Sequence, residues 1–119
     1  MAFFIKNIQT TGDFFVHEYS GTDMSTLIRK VEDMMAGAGY KHIEGAGTNS
    51  VYEKGNRIMR ILFGAFVKYF KFAVQLKQDE NGAHELKVTK HSSGISGGLI
   101  GISQVKKELK RLAELLQDI

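Results

Sequence analysis

In a 119-residue chain without cysteine, chemistry must come from imidazole, carboxylate, hydroxyl or amine groups, or from backbone N–H groups that glycine leaves open. The histidines are His17, His42, His84 and His91. Metal sites take histidine at short fixed spacings, often with cysteine beside it. Neither HxH nor HExxH occurs here, so no metal site is expected and no cofactor is implied. His91 stands close to Ser92, Ser93 and Ser96, which would set a base beside a hydroxyl nucleophile. No GxSxG turn surrounds those serines. The sequence therefore assigns no catalytic residue, and the expectation is a protein that is not an enzyme.

A second group of residues suits anions. Gly94-Ile95-Ser96-Gly97-Gly98-Leu99-Ile100-Gly101 leads into an amphipathic run read as a helix over Ser103–Leu116, with Ser103 as its N-cap. Glycine-rich turns before a helix offer free N–H groups to phosphate, and the helix dipole adds to the attraction. On those bounds Lys106 and Lys107 fall in the first turn, where cations oppose the dipole, and Glu114 and Asp118 fall toward the end, where anions do. Gly97, Gly98, Gly101, Lys106 and Lys107 form the candidate anion-binding set. Neither GxGxxG nor GxxxxGK[ST] is present, and the competing role is structural: glycine permits tight turns and close packing of helix on sheet. Lys106, Lys107, Lys110 and Arg111 also share one side of the helix. Each like-charge i,i+4 pair among them costs about 0.2–0.5 kcal/mol, and Glu108 and Glu114 offer partial relief.

A third group is aromatic. Phe63, Phe66, Tyr69, Phe70 and Phe72 interleave with Arg60, Lys68 and Lys71. Such mixtures stack bases and grip phosphates, or seat a protein on an anionic membrane surface. Alternation, however, turns Phe70 and Phe72 inward and Lys71 outward. Inward aromatics belong to a core or to the wall of an internal cavity. Met34 joins them, because a flexible thioether fills irregular gaps and adapts to ligands. Phe63, Phe66, Phe70 and Met34 are the candidate ligand-binding set.

The elements that must position these residues follow from periodicity. Phe70, Phe72, Val74 and Leu76 alternate with polar or small neighbours, as do Leu86 and Val88 after Asn81-Gly82. That is a half-buried hairpin. A three-residue loop, Glu80 to Gly82, pairs Leu76 with Leu86, Val74 with Val88 and Lys77 with Glu85. The other registers mix faces or oppose Lys77 to Lys87. A type I turn with Gly82 left-handed, followed by a bulge, is therefore expected.

Phe3–Gln9 reads as a short strand or an ordered arm, and Phe14–Tyr19 as a strand after a turn at Thr10–Asp13. Met24, Leu27, Ile28, Val31, Met34, Met35 and Ala38 recur at helical spacing, with Thr22 or Asp23 as cap and Gly37 or Gly39 as terminator. Tyr40–Glu44 and Ser50–Lys54 are short strands around Gly45-Ala46-Gly47. Residues 57–66 fit either period; their β-branched and aromatic content favours a strand ending near Gly64. In the C-terminal helix Ile102, Val105, Leu109, Leu112, Ala113 and Leu116 form the buried stripe.

The order is β-α-β-β-β-β-α, an α+β antiparallel sheet with both helices on one face. Over residues 14–116 it resembles the β-α-β4-α arrangement of TATA-binding-protein-like and helix-grip folds. The resemblance is one of element order and carries over no functional residue.

Composition bounds the rest. The chain is 43% hydrophobic and 24% charged, which suits a single α+β domain over residues 1–119 and argues against disorder. The longest apolar stretch, residues 58–76, is broken by Arg60, Lys68 and Lys71, which excludes a conventional membrane span. A soluble, cytoplasmic protein is expected. Residues 1–53 carry four Lys/Arg and seven Asp/Glu, while residues 54–119 carry twelve and six. That asymmetry suits an anionic partner or a solvated sheet face. The leading functional expectation is a small binding module for an apolar or amphipathic ligand, or for a protein partner. The alternative is an anion or nucleic-acid binder using the basic sheet face and the glycine-rich helix start.

Overall fold

Alternating inward and outward residues build a sheet that is apolar on one side. The computed structural model describes residues 3–55, 70–91 and 98–119, with side chains from Gln104 onward in the last of these. Its strands are β1 (Phe4–Thr10), β2 (Phe14–Tyr19), β3 (Lys41–Ala46), β4 (Asn49–Lys54), β5 (Phe70–Gln78) and β6 (His84–Lys90). Its helices are α1 (Met24–Gly37) and α2 (Gly98–Leu115), and a 3-10 turn, Leu116–Asp118, closes the chain. The strands form one antiparallel sheet in the order β1-β2-β6-β5-β4-β3. Between β2 and α2 the described elements follow the expected β-α-β-β-β-β-α order; β1 is an additional strand at the sheet edge.

The β5–β6 hairpin has the expected register. Val74 pairs with Val88, Leu76 with Leu86 and Lys77 with Glu85, whose side chains meet at 3.5 Å. The Asp79 amide donates to the Ala83 carbonyl and the Gly82 amide to the Asp79 carbonyl, leaving Glu80–Gly82 as the loop. Gly82 takes φ 82°, a left-handed conformation that glycine reaches without a Cβ penalty. The Asp79 carboxylate accepts from the amides of Asn81 and Ala83 at 2.8 and 2.9 Å, an Asx turn that locks the loop.

Phe15 and Tyr19 of β2, Tyr52 of β4, Phe70, Phe72, Val74 and Leu76 of β5, and Leu86 and Val88 of β6 are buried on one sheet face. They share a core with Leu27, Val31 and Met35 of α1 and with Leu109, Leu112, Ala113 and Leu116 from the C-terminal segment. Both helices therefore lie over the same face. Asp23 caps α1, its carboxylate accepting from the Thr26 amide at 2.7 Å. Beyond the Ala38 C-cap, Gly39 turns left-handed at φ 93°. The Gly39 amide donates to the Ala36 carbonyl, and the Tyr40 amide to the Met35 carbonyl. These are the two bonds of a Schellman ending.

Helix α2 departs from expectation. It begins at Gly98 rather than after a Ser103 cap. Leu99 precedes Ile102 at helical spacing, so the apolar stripe runs one turn further back, and interior glycine costs only about 1 kcal/mol per residue. Gly98 and Gly101 thus lie inside the helix, not in a turn before it. Lys106 and Lys107 sit in its third turn, roughly 12 Å along the axis at 1.5 Å per residue. The strand proposed within residues 57–66, and Gly97, fall outside the described residues. Among the described residues no helix is long and apolar enough to cross a membrane.

Candidate functional site

Helix α2 brings Gln104, Lys107, Glu108 and Arg111 onto one stripe, because residues three and four apart stack along a helix. The stripe faces the ends of two paired strands. Lys54, the last residue of β4, lies opposite Phe70, the first of β5. Between helix and strands is a cavity of about 450 Å³, walled by these residues and by Gly55. Its size falls in the range of small-ligand sites.

Glu108 is the only carboxylate among the wall residues described, and it is buried. Arg111 grips it with two parallel hydrogen bonds of 2.8 Å, Nε to Oε1 and Nη2 to Oε2. The Tyr40 hydroxyl donates to Oε2 at 2.5 Å. Arg111 Nη2 also donates to the Ala38 carbonyl at 3.3 Å, at the end of α1. Burial pushes the Glu108 carboxyl up, but the hydrogen bonds from Arg111 and Tyr40, with the charges of Arg111 and Lys54, outweigh it and hold the group below its ordinary value. The Tyr40 phenol is driven upward by burial and then by its bond to Glu108, so it serves as a donor. The charge of the carboxylate is compensated within the protein by Arg111. Lys54, whose ammonium lies 5.8 Å from the Tyr40 ring centroid, and the exposed Lys107 leave the described part of the cavity wall cationic.

Two residues from the sequence sets meet here: Phe70, buried in the wall, and Lys107 across from it. The other described members of those sets do not join them. Lys106 passes its methylenes over Gly12 in the β1–β2 turn. Met34 is half-buried and packs against the core. Gly98 and Gly101 lie at the start of α2. Phe63, Phe66 and Gly97 are outside the described residues. Sequence reasoning missed Lys54, Tyr40 and Gln104 as site residues and treated Glu108 and Arg111 as parts of a solvated face. The i, i+3, i+4, i+7 spacing of Gln104, Lys107, Glu108 and Arg111 was the available signal. Tyr40 left none.

The histidines are held separately. His17 is fully buried. Its Nε2 donates to the Ala113 carbonyl at 2.8 Å, which leaves Nδ1 to accept from the Asn7 amide at 3.1 Å. His84 Nε2 donates to the Thr22 carbonyl at 2.8 Å. Among the described residues no three His, Asp or Glu side chains cluster as metal ligands would. The serines near His91 lie outside the described residues.

The chain matches no model of a known protein family and no curated protein.

Proposed function

We propose that this protein is a non-enzymatic binding module whose cavity between α2 and the β4–β5 ends takes a small amphipathic anion. The observation that carries this reading is the pairing, in one cavity wall, of an aromatic face, Phe70, with cations from two elements, Lys54 and Lys107. Phe70 supplies apolar contact worth about 25 cal/mol per Å² removed from water. The lysines supply attraction that salt screens. The finer fold reading, a helix-grip-like or TATA-binding-protein-like arrangement, rests on element order and on two helices over one sheet face. A cytoplasmic location rests on composition.

Nucleic acid is the less favoured partner because the open sheet face mixes its charges. Lys6 lies opposite Glu18, Lys71 opposite Glu53, and Lys77 opposite Glu85. Such a face offers no uniform basic stripe for a phosphate backbone.

The test is an NMR titration with short aryl and alkyl carboxylates and phosphate esters at low and high salt. Amides of residues 54–55, 70–71 and 104–111 should shift together, more weakly at high salt. Phe70→Ala and Lys107→Gln should each weaken the response. Shifts confined to the open sheet face, or none at millimolar ligand, would discard the cavity as the site.

A further inference from the structure

We infer that the occupant of this cavity is a soluble phosphate monoester carrying a compact apolar group, and that its double negative charge is what the site selects. The inference rests on the cavity reading above and goes further by fixing the chemistry of the anion.

Three facts narrow it. Among the described residues the wall carries Lys54, Lys107 and Arg111 against Glu108, three cations to one carboxylate. Arg111 and Glu108 neutralise each other through a two-point contact, so the charge left for a ligand is that of two ammonium groups on facing elements. A monoanion compensates one of them, whereas a dianion compensates both.

The second fact concerns shape. Bidentate recognition of a planar carboxylate depends on the guanidinium fork. Arg111 commits Nε and Nη2 to Glu108, and Nη2 also to the Ala38 carbonyl. That fork is occupied. Lysine ammonium groups act as point charges with rotatable donors, which suit the tetrahedral oxygens of a phosphoryl group. The third fact is Phe70, which closes the wall beside Lys54 with an apolar ring. Only a small part of that ring is open to the cavity, which suits an ester with a compact apolar group rather than a long chain.

The experiment compares ligands with one body and different heads, using the full chain at pH 8. Phenyl phosphate is a dianion there, since the second phosphate pKa lies near 6. Methyl phenyl phosphate keeps the tetrahedral head with one charge, and benzoate offers a planar monoanion. Affinity is read by NMR titration, with amides of residues 54–55 and 104–111 as the site reporters. Phenyl phosphate should bind about tenfold tighter than either monoanion, the low end of what a hydrogen bond to a charged group contributes. Lys54→Gln and Lys107→Gln should each erase that preference while leaving weak binding of all three. Thermal unfolding of both variants confirms that they remain folded.

If all three ligands bind the cavity within twofold of one another, the dianion inference is overturned and the amphipathic-anion reading stands. If none shifts the cavity reporters, both are overturned. Vesicles of phosphatidylcholine containing phosphatidic acid present the same head on a membrane. Capture by those vesicles, with no response to phenyl phosphate, would overturn the soluble ligand in favour of a lipid surface.

Discussion

At the scale of single residues, Glu108, Tyr40 and His17 are each held in one protonation state by their surroundings. Glu108 stays ionised because Arg111 and Tyr40 hydrogen-bond it, and Tyr40 stays protonated because burial, and then its bond to that carboxylate, push its phenol up. His17 is the mirror case. Burial lowers its pKa below the ordinary imidazole value, and its bonds to the Ala113 and Val16 backbones only partly restore it. The neutral ring is what the fold accommodates, with Nδ1 taking a proton-bearing amide from Asn7. The sign of the pH effect follows. Below the unfolded histidine pKa of about 6.5 the unfolded chain binds a proton that folded His17 refuses, so stability falls as the pH drops toward the folded value. Urea midpoints should therefore decline between pH 7 and pH 5. The slope should flatten in a His17→Phe variant, and an unchanged slope would assign the decline to other groups.

At the scale of elements, two glycines of similar sequence context have opposite roles. Gly45 sits within β3 at φ 72°, beside a break in the β3–β4 register, and a Cβ there would overlap the Asn49 carbonyl oxygen. Gly37 closes α1, and a Cβ there meets nothing within 4 Å. Gly45→Ala should lower stability by about 1–3 kcal/mol, the cost of a strained left-handed backbone, plus displacement of the β3–β4 turn. Gly37→Ala should raise it by about 0.4–1 kcal/mol through lost freedom in the unfolded chain. Chemical denaturation of the pair checks both signs at once. Similar effects in the two variants would mean that Gly45 is not required by the hairpin.

At the scale of the whole molecule, protection is uneven across the sheet. β5 and β6 are central and flanked on both sides. β1 and β3 are the edges, and most of their residues are exposed. β1 shows Ile5 and Ile8 at 52% and 44% exposure, and its pairing with β2 shifts register on passing each of them. Bulges twist an edge away from another chain's strand and guard it against edge-to-edge pairing. Tethers from the C-terminal segment still reach this side: the Ile119 carbonyl accepts from the amides of Phe3 and Phe4, and the Tyr19 hydroxyl donates to the Leu116 carbonyl at 2.7 Å. Native-state hydrogen exchange should show the slowest amides in β5 and β6 and faster ones in β1 and β3. Equal protection in β1 and β5 would indicate that the edge is covered in solution.

Local alternation and capping chemistry settled much of this architecture in advance. The register of β5 on β6 was legible because one-residue slips put Lys beside Leu, and α1 was legible because Asp23 and Gly39 bracket an unbroken apolar stripe. The start of α2 was not legible. Glycines and apolar residues before Ser103 suit a turn as well as a helix, and propensities of about 1 kcal/mol are easily outweighed by packing. The site was half legible. Phe70 and Lys107 could be picked out by type, but they lie 37 positions apart in sequence, and no local period links a strand start to the third turn of a later helix. Tyr40 became a partner of Glu108 only when the Schellman ending of α1 set its ring against α2. The sequence alone determined which faces of α1, β5 and β6 would be buried, because burial there follows periodicity along each element, though it did not mark Glu108 of α2 as buried. The tertiary structure alone decided which buried and cationic residues face one cavity, because that depends on how separate elements are laid across the sheet.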